Sequence, residues 1–306
     1  MDEQNSHNSA LQRAADALQG LSVGDAFGEQ FFFHTNLRQR LTSGQVAPGE
    51  WFFTDDTNMA LSIYAILRQC QQIDQDKLAQ SFGLHFDSER GYGPGARKLL
   101  RAIVGGEHWR TAAKAMFGGQ GSFGNGSAMR IAPLGAYFAD NLTRCAEQAR
   151  LSAEVTHAHD EGIAGGIAAA VAAAIASSVR GSEVPTRADF IDRVLPYVPP
   201  SEVRSRLTRA RDMQTGEPLH RAVNILGNGS QISAQDTVAF CIWCAGEWLA
   251  DYEQALWMTA SAAGDVDTNC AIVGGIVSAY TGTEGIPDAW RLAREPLPTW
   301  AFQEEI

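Results

Sequence analysis

The sequence predicts an all-α protein, and three observations carry that reading. Apolar residues recur at helical spacing in five separate stretches, and no alternating apolar and polar run of useful length occurs. An Ala- and Gly-rich segment from Gly162 to Ala176 suits close helix packing and has no strand character. Taken in order, Ala10 to Ala26 places Leu11, Ala14, Ala15, Leu18 and Leu21 on one stripe, with Gly20 and Gly24 expected to loosen its far end. Thr57 to Leu67 repeats the pattern with Met59, Ile63, Ile66 and Leu67. In the Ala-rich stretch Ile163, Ile167, Val171 and Ile175 form one bulky ridge, so this helix is assigned to the core. Thr237 to Ala250 and Thr268 to Tyr280 read as further helices, the second stopped by Thr281-Gly282 as a glycine C-cap. Strand signals are confined to Phe31-Phe32-Phe33 and Trp51-Phe52-Phe53.

Length alone, 306 residues, would suggest about two domains. The one candidate linker, Gly181 to Pro200, carries four prolines among charges and leads into a polar helix that Ser201 can cap. Residues of chemical interest lie on both sides of it, so residues 10–306 are read as one domain behind a flexible tail at residues 1–9. With 45% hydrophobic and 19% charged residues the chain can build a large core. A formal charge of -11 argues against nucleic-acid and anionic-membrane partners. The apolar run from Gly162 to Ala176 is expected to be too short and too weakly apolar to span a bilayer. Met1 to Asn8 lacks the pattern of a secretory signal, and five sparse cysteines (Cys70, Cys145, Cys241, Cys244 and Cys270) point to reduced thiols, so a cytoplasmic location is expected. Cys241 and Cys244 have CxxC spacing inside an apolar helix, which favours buried thiols over a redox or zinc pair.

Three segments carry chemistry. Thr54-Asp55-Asp56-Thr57 stands directly before a helix, which needs one capping side chain and has no structural use for two adjacent, mutually repelling carboxylates. Asp265-Val266-Asp267-Thr268 leads into another helix near the opposite end of the chain. If the fold brings the two helix starts together, four carboxylates and two hydroxyls converge, a hard oxygen set suited to two Mg²⁺ or Mn²⁺ ions and poorly suited to Zn²⁺. Ordinary N-capping by solvated acids is the alternative. The third segment, Gly119 to Arg130, has four glycines in eight positions. Such a loop can bring backbone amides close to a phosphate, with a following helix start adding positive potential, yet it fits no ordinary nucleotide motif and is equally compatible with an irregular connection. Asp25, Glu29, His157, His159 and Tyr92 are further candidates. Each has a structural reading beside the functional one: a hydrogen-bonding acid, a surface carboxylate, capping histidines and a turn-anchoring tyrosine.

Together, Gly24-Asp25-Ala26-Phe27-Gly28, Thr54 to Thr57, Arg90-Gly91-Tyr92-Gly93, Gly121 to Arg130, Thr156-His157 and Gly264 to Thr268 resemble the ADP-ribosylglycohydrolase family, in family order and over nearly the whole chain. The resemblance implies an orthogonally packed all-α domain, a monomer, with a binuclear Mg²⁺ or Mn²⁺ centre below a cleft. It implies Thr54, Asp55, Asp56, Asp265, Asp267 and Thr268 as metal ligands, with Asp55 and Asp56 also in the catalytic set. Ser122, Phe123, Gly124, Asn125, Gly126 and Ser127 would hold the diphosphate and distal ribose, with Tyr92, Gly93, Gly121, Met129 and His157 beside them. Glu29 occupies the place of the family's mobile catalytic glutamate. Where the family often has Gly-Asp-Thr-Asp-Thr, this chain has Val266 between the acids, which affects geometry rather than ligation. The implied reaction is metal-dependent hydrolysis at the anomeric carbon of ADP-ribose, on a protein side chain or a small ADP-ribose-containing molecule. The arginine N-glycosidic bond is slightly preferred over a serine-linked, other O-linked or O-acetyl substrate. A non-catalytic ADP-ribose binder and a two-metal phosphohydrolase that releases AMP are the other readings.

Overall fold

The structure is a computed structural model that describes residues 3–32 and 45–303. Among the described residues there are fifteen α-helices and no β-strand. They are α1 (Glu3–Glu29), α2 (Asp55–Cys70), α3 (Gln75–Leu84), α4 (Pro94–Val104), α5 (Trp109–Gly119), α6 (Ala132–Tyr137), α7 (Leu142–Glu154) and α8 (Asp160–Ser178). The second half adds α9 (Arg187–Val194), α10 (Glu202–Asp212), α11 (Leu219–Leu226), α12 (Ala234–Glu247), α13 (Tyr252–Ser261), α14 (Val266–Thr281) and α15 (Asp288–Ala293). All five expected helices are present. Gly282, at φ 73°, ends α14 as anticipated, and the Ser201 hydroxyl caps α10 by accepting from the Arg204 amide at 3.1 Å.

Several expectations are corrected. The helix expected from Ala10 begins at Glu3, so the described part of the supposed tail is helical, and His7 Nδ1 lies 2.8 Å from the Tyr137 hydroxyl. Residues 181–200 are no correction: they contain α9, packed on α8, α10 and α12, in keeping with the expectation that they lie within one domain. Trp51 makes only an isolated bridge to Arg294 and Phe52 and Phe53 belong to no strand; Phe31 and Phe32 lie in a turn, and Phe33 lies outside the described residues. As a complete helix α8 is long and apolar enough to cross a membrane by length and composition, yet 83% of that window is buried inside the protein. Its small side chains let α6, α7, α12 and α14 approach it closely. Cys241, Cys244 and Cys270 are buried beside this core, and all five cysteines are unpaired.

The contact that positions the site joins the first helix to one near the end of the chain. α1 and α14 run antiparallel, with Gly20, Gly24 and Gly28 spaced one turn apart and facing α14. A Cβ on Gly20 would collide with Ser278 and the Gly274 carbonyl, one on Gly24 with the Cys270 carbonyl, and one on Gly28 would stand 2.6 Å from the Asp267 Cα. The glycines therefore do not loosen α1; they remove the side chains that would hold the two backbones apart. The result sets Asp25 and Glu29 beside the start of α14 and, through Asp25, beside the start of α2.

Candidate active site

Asp25 explains why two acids at the start of α2 remain available. Its side chain is fully buried and accepts four groups from the next helix start: the Thr54 amide (3.0 and 3.1 Å), the Thr54 hydroxyl (2.8 Å), the Thr57 amide (3.0 Å) and the Thr57 hydroxyl (2.6 Å). Thr54 itself makes no side-chain cap, so a carboxylate from another helix performs the capping. Asp55 and Asp56 are thereby freed from that duty. Thr54 Oγ1 lies 2.8 Å from both Asp25 Oδ1 and Asp56 Oδ2, although one hydroxyl has a single hydrogen to donate. One of those carboxyls must hold a proton, or a cation must offset the clash of lone pairs.

At the start of α14, Asp265 accepts from Asn125 Nδ2 at 2.7 Å, which ties it to the glycine loop. Asn125 Nδ2 also reaches the Thr237 hydroxyl at 3.1 Å. Behind Asp265, the Asn228 carbonyl accepts from the Asp265 amide (3.3 Å) and from Asn269 Nδ2 (2.7 Å). Val266 is buried in the core, as its position between the acids requires.

The two acid-bearing helix starts meet. Asp56 is pushed well above the usual carboxylate range by burial, then by Asp25, Asp267 and Asp55; Asp267 is pushed up likewise by burial, Asp265 and Asp25. Burial and Asp25 raise Asp55 to about 8, and burial raises Asp25 to about 6 against its four hydrogen-bond donors. Asp265 is raised by burial and partly relieved by Asn125. Glu29, half-buried at the end of α1, is raised to about 7 by burial and Asp25, and in turn acts on Asp267. This pattern is mutual repulsion in a dry site.

Asp56 Oδ1 and Asp267 Oδ1 are both buried without a hydrogen-bond partner. Among the described residues no group of three or more His, Cys, Asp or Glu side chains is already arranged to hold a metal ion. The orphaned oxygens and the raised carboxyls nonetheless match what hard divalent cations require, since Arg130, whose charge acts on Asp55, offsets only part of the repulsion among these groups.

Above the acids lies a cavity of about 440 Å³. Its polar floor includes Asp55, Asp265, Asp267 and Thr268; one wall is the loop Ser122 to Gly126 with Met129, Arg130 and His157; Gly91, Gly93 and α4 close another side. Thr54 and Asp56 are buried and are not part of the lining. Four other expected residues are also not brought to the wall. Tyr92 is buried with its hydroxyl accepting from Asn58 at 2.9 Å, and Gly121 packs on the Ala158 backbone. Ser127 donates to the Gly162 carbonyl at 2.5 Å, and Glu29 adjoins the acids without lining the cavity. His159 caps α8 by accepting from the Glu161 amide at 3.1 Å, so it is structural. The glycine loop runs into a 3-10 turn at Asn125–Ser127 rather than a long helix, so a helix dipole adds little to it.

Sequence reasoning left two rim residues unmarked. Phe117 is 53% exposed at φ 51°, its ring 5.6 Å from Phe123, and Ile232 is 65% exposed, also at φ 51°. Both line the cavity in a backbone region that non-glycine residues avoid, most of all a β-branched one. Ile232 is held there by neighbouring bonds: its own amide to the Gly229 carbonyl (2.7 Å), the Gln231 amide to Asp236 Oδ2 (3.0 Å) and the Ala234 amide to the Phe123 carbonyl (2.9 Å). The sequence signal for either was only an apolar residue beside glycine or polar loop residues.

Comparison with known proteins bears on this geometry. Residues 6–304 match the family described as ADP-ribosylglycohydrolase. The human protein named ADP-ribosylhydrolase ARH3 is 27% identical, covering 94% of this chain and 90% of its own length. ADP-ribosylarginine hydrolase Tri1 of Pseudomonas putida is 26% identical over 92% of this chain and 74% of its own. A solved structure described as an ADP-ribosylglycohydrolase-related protein complex superposes with a TM-score of 0.65 at 23% identity, covering 94% of each chain, and so shares the fold.

Proposed function

The chain belongs to the ADP-ribosylglycohydrolase family, and from that premise we propose that it hydrolyses the bond between the anomeric carbon of ADP-ribose and a protein side chain, with the arginine N-glycosidic bond preferred. The observation that carries the proposal is the meeting of two acid-bearing helix starts, about two hundred residues apart in sequence, beneath a cavity walled by the glycine loop. The arginine preference draws on the P. putida relative, whose name specifies that linkage.

Thr54, Asp55, Asp56, Asp265, Asp267 and Thr268 would hold two Mg²⁺ or Mn²⁺ ions, whose charge matches the four carboxylates. Bound there, the ions would lower the pKa of a water and polarise ribose hydroxyls. The remaining work falls to the chain. Asn125 holds Asp265 in place, and Asp25 holds the Thr54 to Thr57 turn, so the floor of the site is fixed from two directions. Gly124 and Gly126 leave room for a diphosphate against the loop backbone, and Arg130 supplies positive charge to the wall. Exposed Phe117 and half-buried Phe123, both on the cavity wall, offer aromatic rings for a nucleobase. Glu29, raised to about 7 by burial and Asp25, divides between its protonated and ionised forms near neutrality, which suits a group that protonates a leaving nitrogen and afterwards accepts a proton from water. In the balanced reaction water oxygen bonds to the anomeric carbon, the carbon–nitrogen bond breaks, and the departing guanidine takes up one proton. A reducing compartment such as the cytoplasm is supported by the five unpaired thiols.

The test is mass spectrometry of products from arginine- and serine-ADP-ribosylated peptides, with Mg²⁺ or Mn²⁺ and with a chelator. Free ADP-ribose and intact arginine peptide, formed only with metal, are expected. Preferred cleavage of the serine peptide reverses the linkage preference, AMP release identifies a phosphohydrolase, and binding without turnover identifies a non-catalytic protein.

A further inference from the structure

His157 has one ring nitrogen engaged inside the protein and presents the other side of its ring to the glycine loop. Nδ1 lies 2.7 Å from the Thr156 hydroxyl, and that hydroxyl lies 2.7 Å from Nη2 of Arg130. Arg130 is 1% exposed, its guanidinium 4.6 Å above the Phe82 ring, and it forms no ion pair among the described residues. Its other contacts are long, to the Ser152 carbonyl and the Met59 sulfur, both at 3.4 Å. On the far side of the imidazole, Cβ atoms on Gly124 and Gly126 would stand 3.6 and 3.5 Å from Nε2.

The hydrogens in this chain can be assigned. A guanidinium only donates, so Thr156 Oγ1 accepts from Arg130. The threonine hydroxyl then has one hydrogen of its own, and its remaining partner, His157 Nδ1, can accept it. Nδ1 is therefore the bare nitrogen and Nε2 carries the hydrogen. The opposite tautomer would leave a buried hydroxyl hydrogen without an acceptor, which buried polar groups avoid. An imidazolium would add a second buried cation beside Arg130. Burial and Arg130 accordingly lower the His157 pKa to about 3.

We propose that Arg130 and Thr156 are positioning residues that lock His157 as a neutral Nε2–H donor, aimed at an acceptor oxygen of the sugar diphosphate held in the glycine loop. The ligand part of this inference rests on the functional reading above; the hydrogen assignment does not. His157 is thereby a fixed electrophilic contact. It is neither a general base nor a metal ligand, because the nitrogen that could serve either role on the loop side bears the hydrogen. Arg130 acts through Thr156, while burial, reinforced by the guanidinium charge, keeps the imidazole neutral.

The experiment is two-bond ¹H–¹⁵N correlation NMR on histidine-labelled protein, with ADP-ribose affinity measured by calorimetry on the same samples. Wild type is expected to show a single tautomer, pyrrole-type at Nε2 and pyridine-type at Nδ1. Thr156→Val should give a mixture of tautomers and weaken ADP-ribose in proportion to the fraction left as Nε2–H, about twofold for an even mixture. Thr156→Ser, which keeps the hydroxyl, should restore the single tautomer. An Nδ1–H signature in wild type, or an unchanged tautomer in Thr156→Val, overturns the proposal, and the wild-type spectrum decides it even if the valine variant does not fold. If wild type shows the expected tautomer but binds no ADP-ribose, the functional reading fails and the hydrogen assignment stands.

Discussion

Replacing Gly28 with alanine asks whether the α1–α14 seam builds the site. In an unencumbered helix the change stabilises by at most about 1 kcal/mol, because glycine has the poorer helix propensity. Here the new Cβ would stand 2.6 Å from both the Asp267 Cα and the Val266 carbonyl oxygen, whereas ordinary contact begins near 3.4 Å. The backbones must part locally by roughly 0.8 Å, and overpacking of that kind costs about 1–3 kcal/mol. The overpacking wins or at least cancels the propensity gain, so the expected result is a Tm unchanged or lower by a few degrees. The more telling readout is metal. The displaced atom belongs to a proposed ligand, so Mg²⁺ or Mn²⁺ affinity by calorimetry should fall about 10–100-fold, as when a supporting contact behind a ligand is lost. Gly20→Ala collides with Ser278 and the Gly274 carbonyl, about three and two turns away from Asp267, and should lower Tm without that loss of affinity. A Gly28→Ala protein that melts higher than wild type and binds metal as tightly would refute the account of the seam.

Asp55→Ala and Asp267→Ala should each abolish release of ADP-ribose while the circular dichroism spectrum stays helical; normal turnover by either variant removes the metal reading. Without metal, the raised carboxyls bind more protons folded than unfolded, so stability is full below about pH 4 and declines as pH rises through about 6 to 8, the values for Asp25, Glu29 and Asp55. Melting in chelator between pH 5 and pH 8 should show Tm falling, with Mg²⁺ restoring more at pH 8 than at pH 5; a Tm that rises over this interval contradicts the burial of the cluster. Ile232→Gly should stabilise the protein by up to about 1 kcal/mol by removing a left-handed β-branched residue, and should weaken ADP-ribose binding as the rim loses its apolar wall. Denaturant titration showing a loss of stability would mean that Ile232 is not strained.

Much of this molecule was legible in the chain. The excess of oxygen donors at Thr54 to Thr57 and Asp265 to Thr268 marked two helix starts, and periodicity found the helices behind them. Their meeting was implied by the family resemblance but not legible from the residues alone, because it depends on a long-range seam with no periodic apolar signal. Glycines at 20 and 24 read locally as helix weakeners, and with Gly28 they become packing residues only when α14 is opposite them. Asp25 was open between a structural and a functional role for the same reason: its four donors lie some thirty residues further on. Tyr92, Gly121 and Ser127 share a motif with lining residues but turn away from the cavity, a distinction set by backbone direction in the loops. Phe117 and Ile232 escaped notice because a positive φ at a non-glycine residue leaves no trace in composition.

The seam between α1 and α14 also has a consequence for biosynthesis. The first helix leaves the ribosome roughly 240 residues ahead of its partner, a delay of roughly 10–50 s at ordinary translation speeds. Through that interval the surface awaiting α14 exposes bare backbone at three glycines, where large apolar side chains would attract other nascent chains. The spacing that lets the finished helices touch thus also leaves the waiting helix with little for a neighbour to grasp.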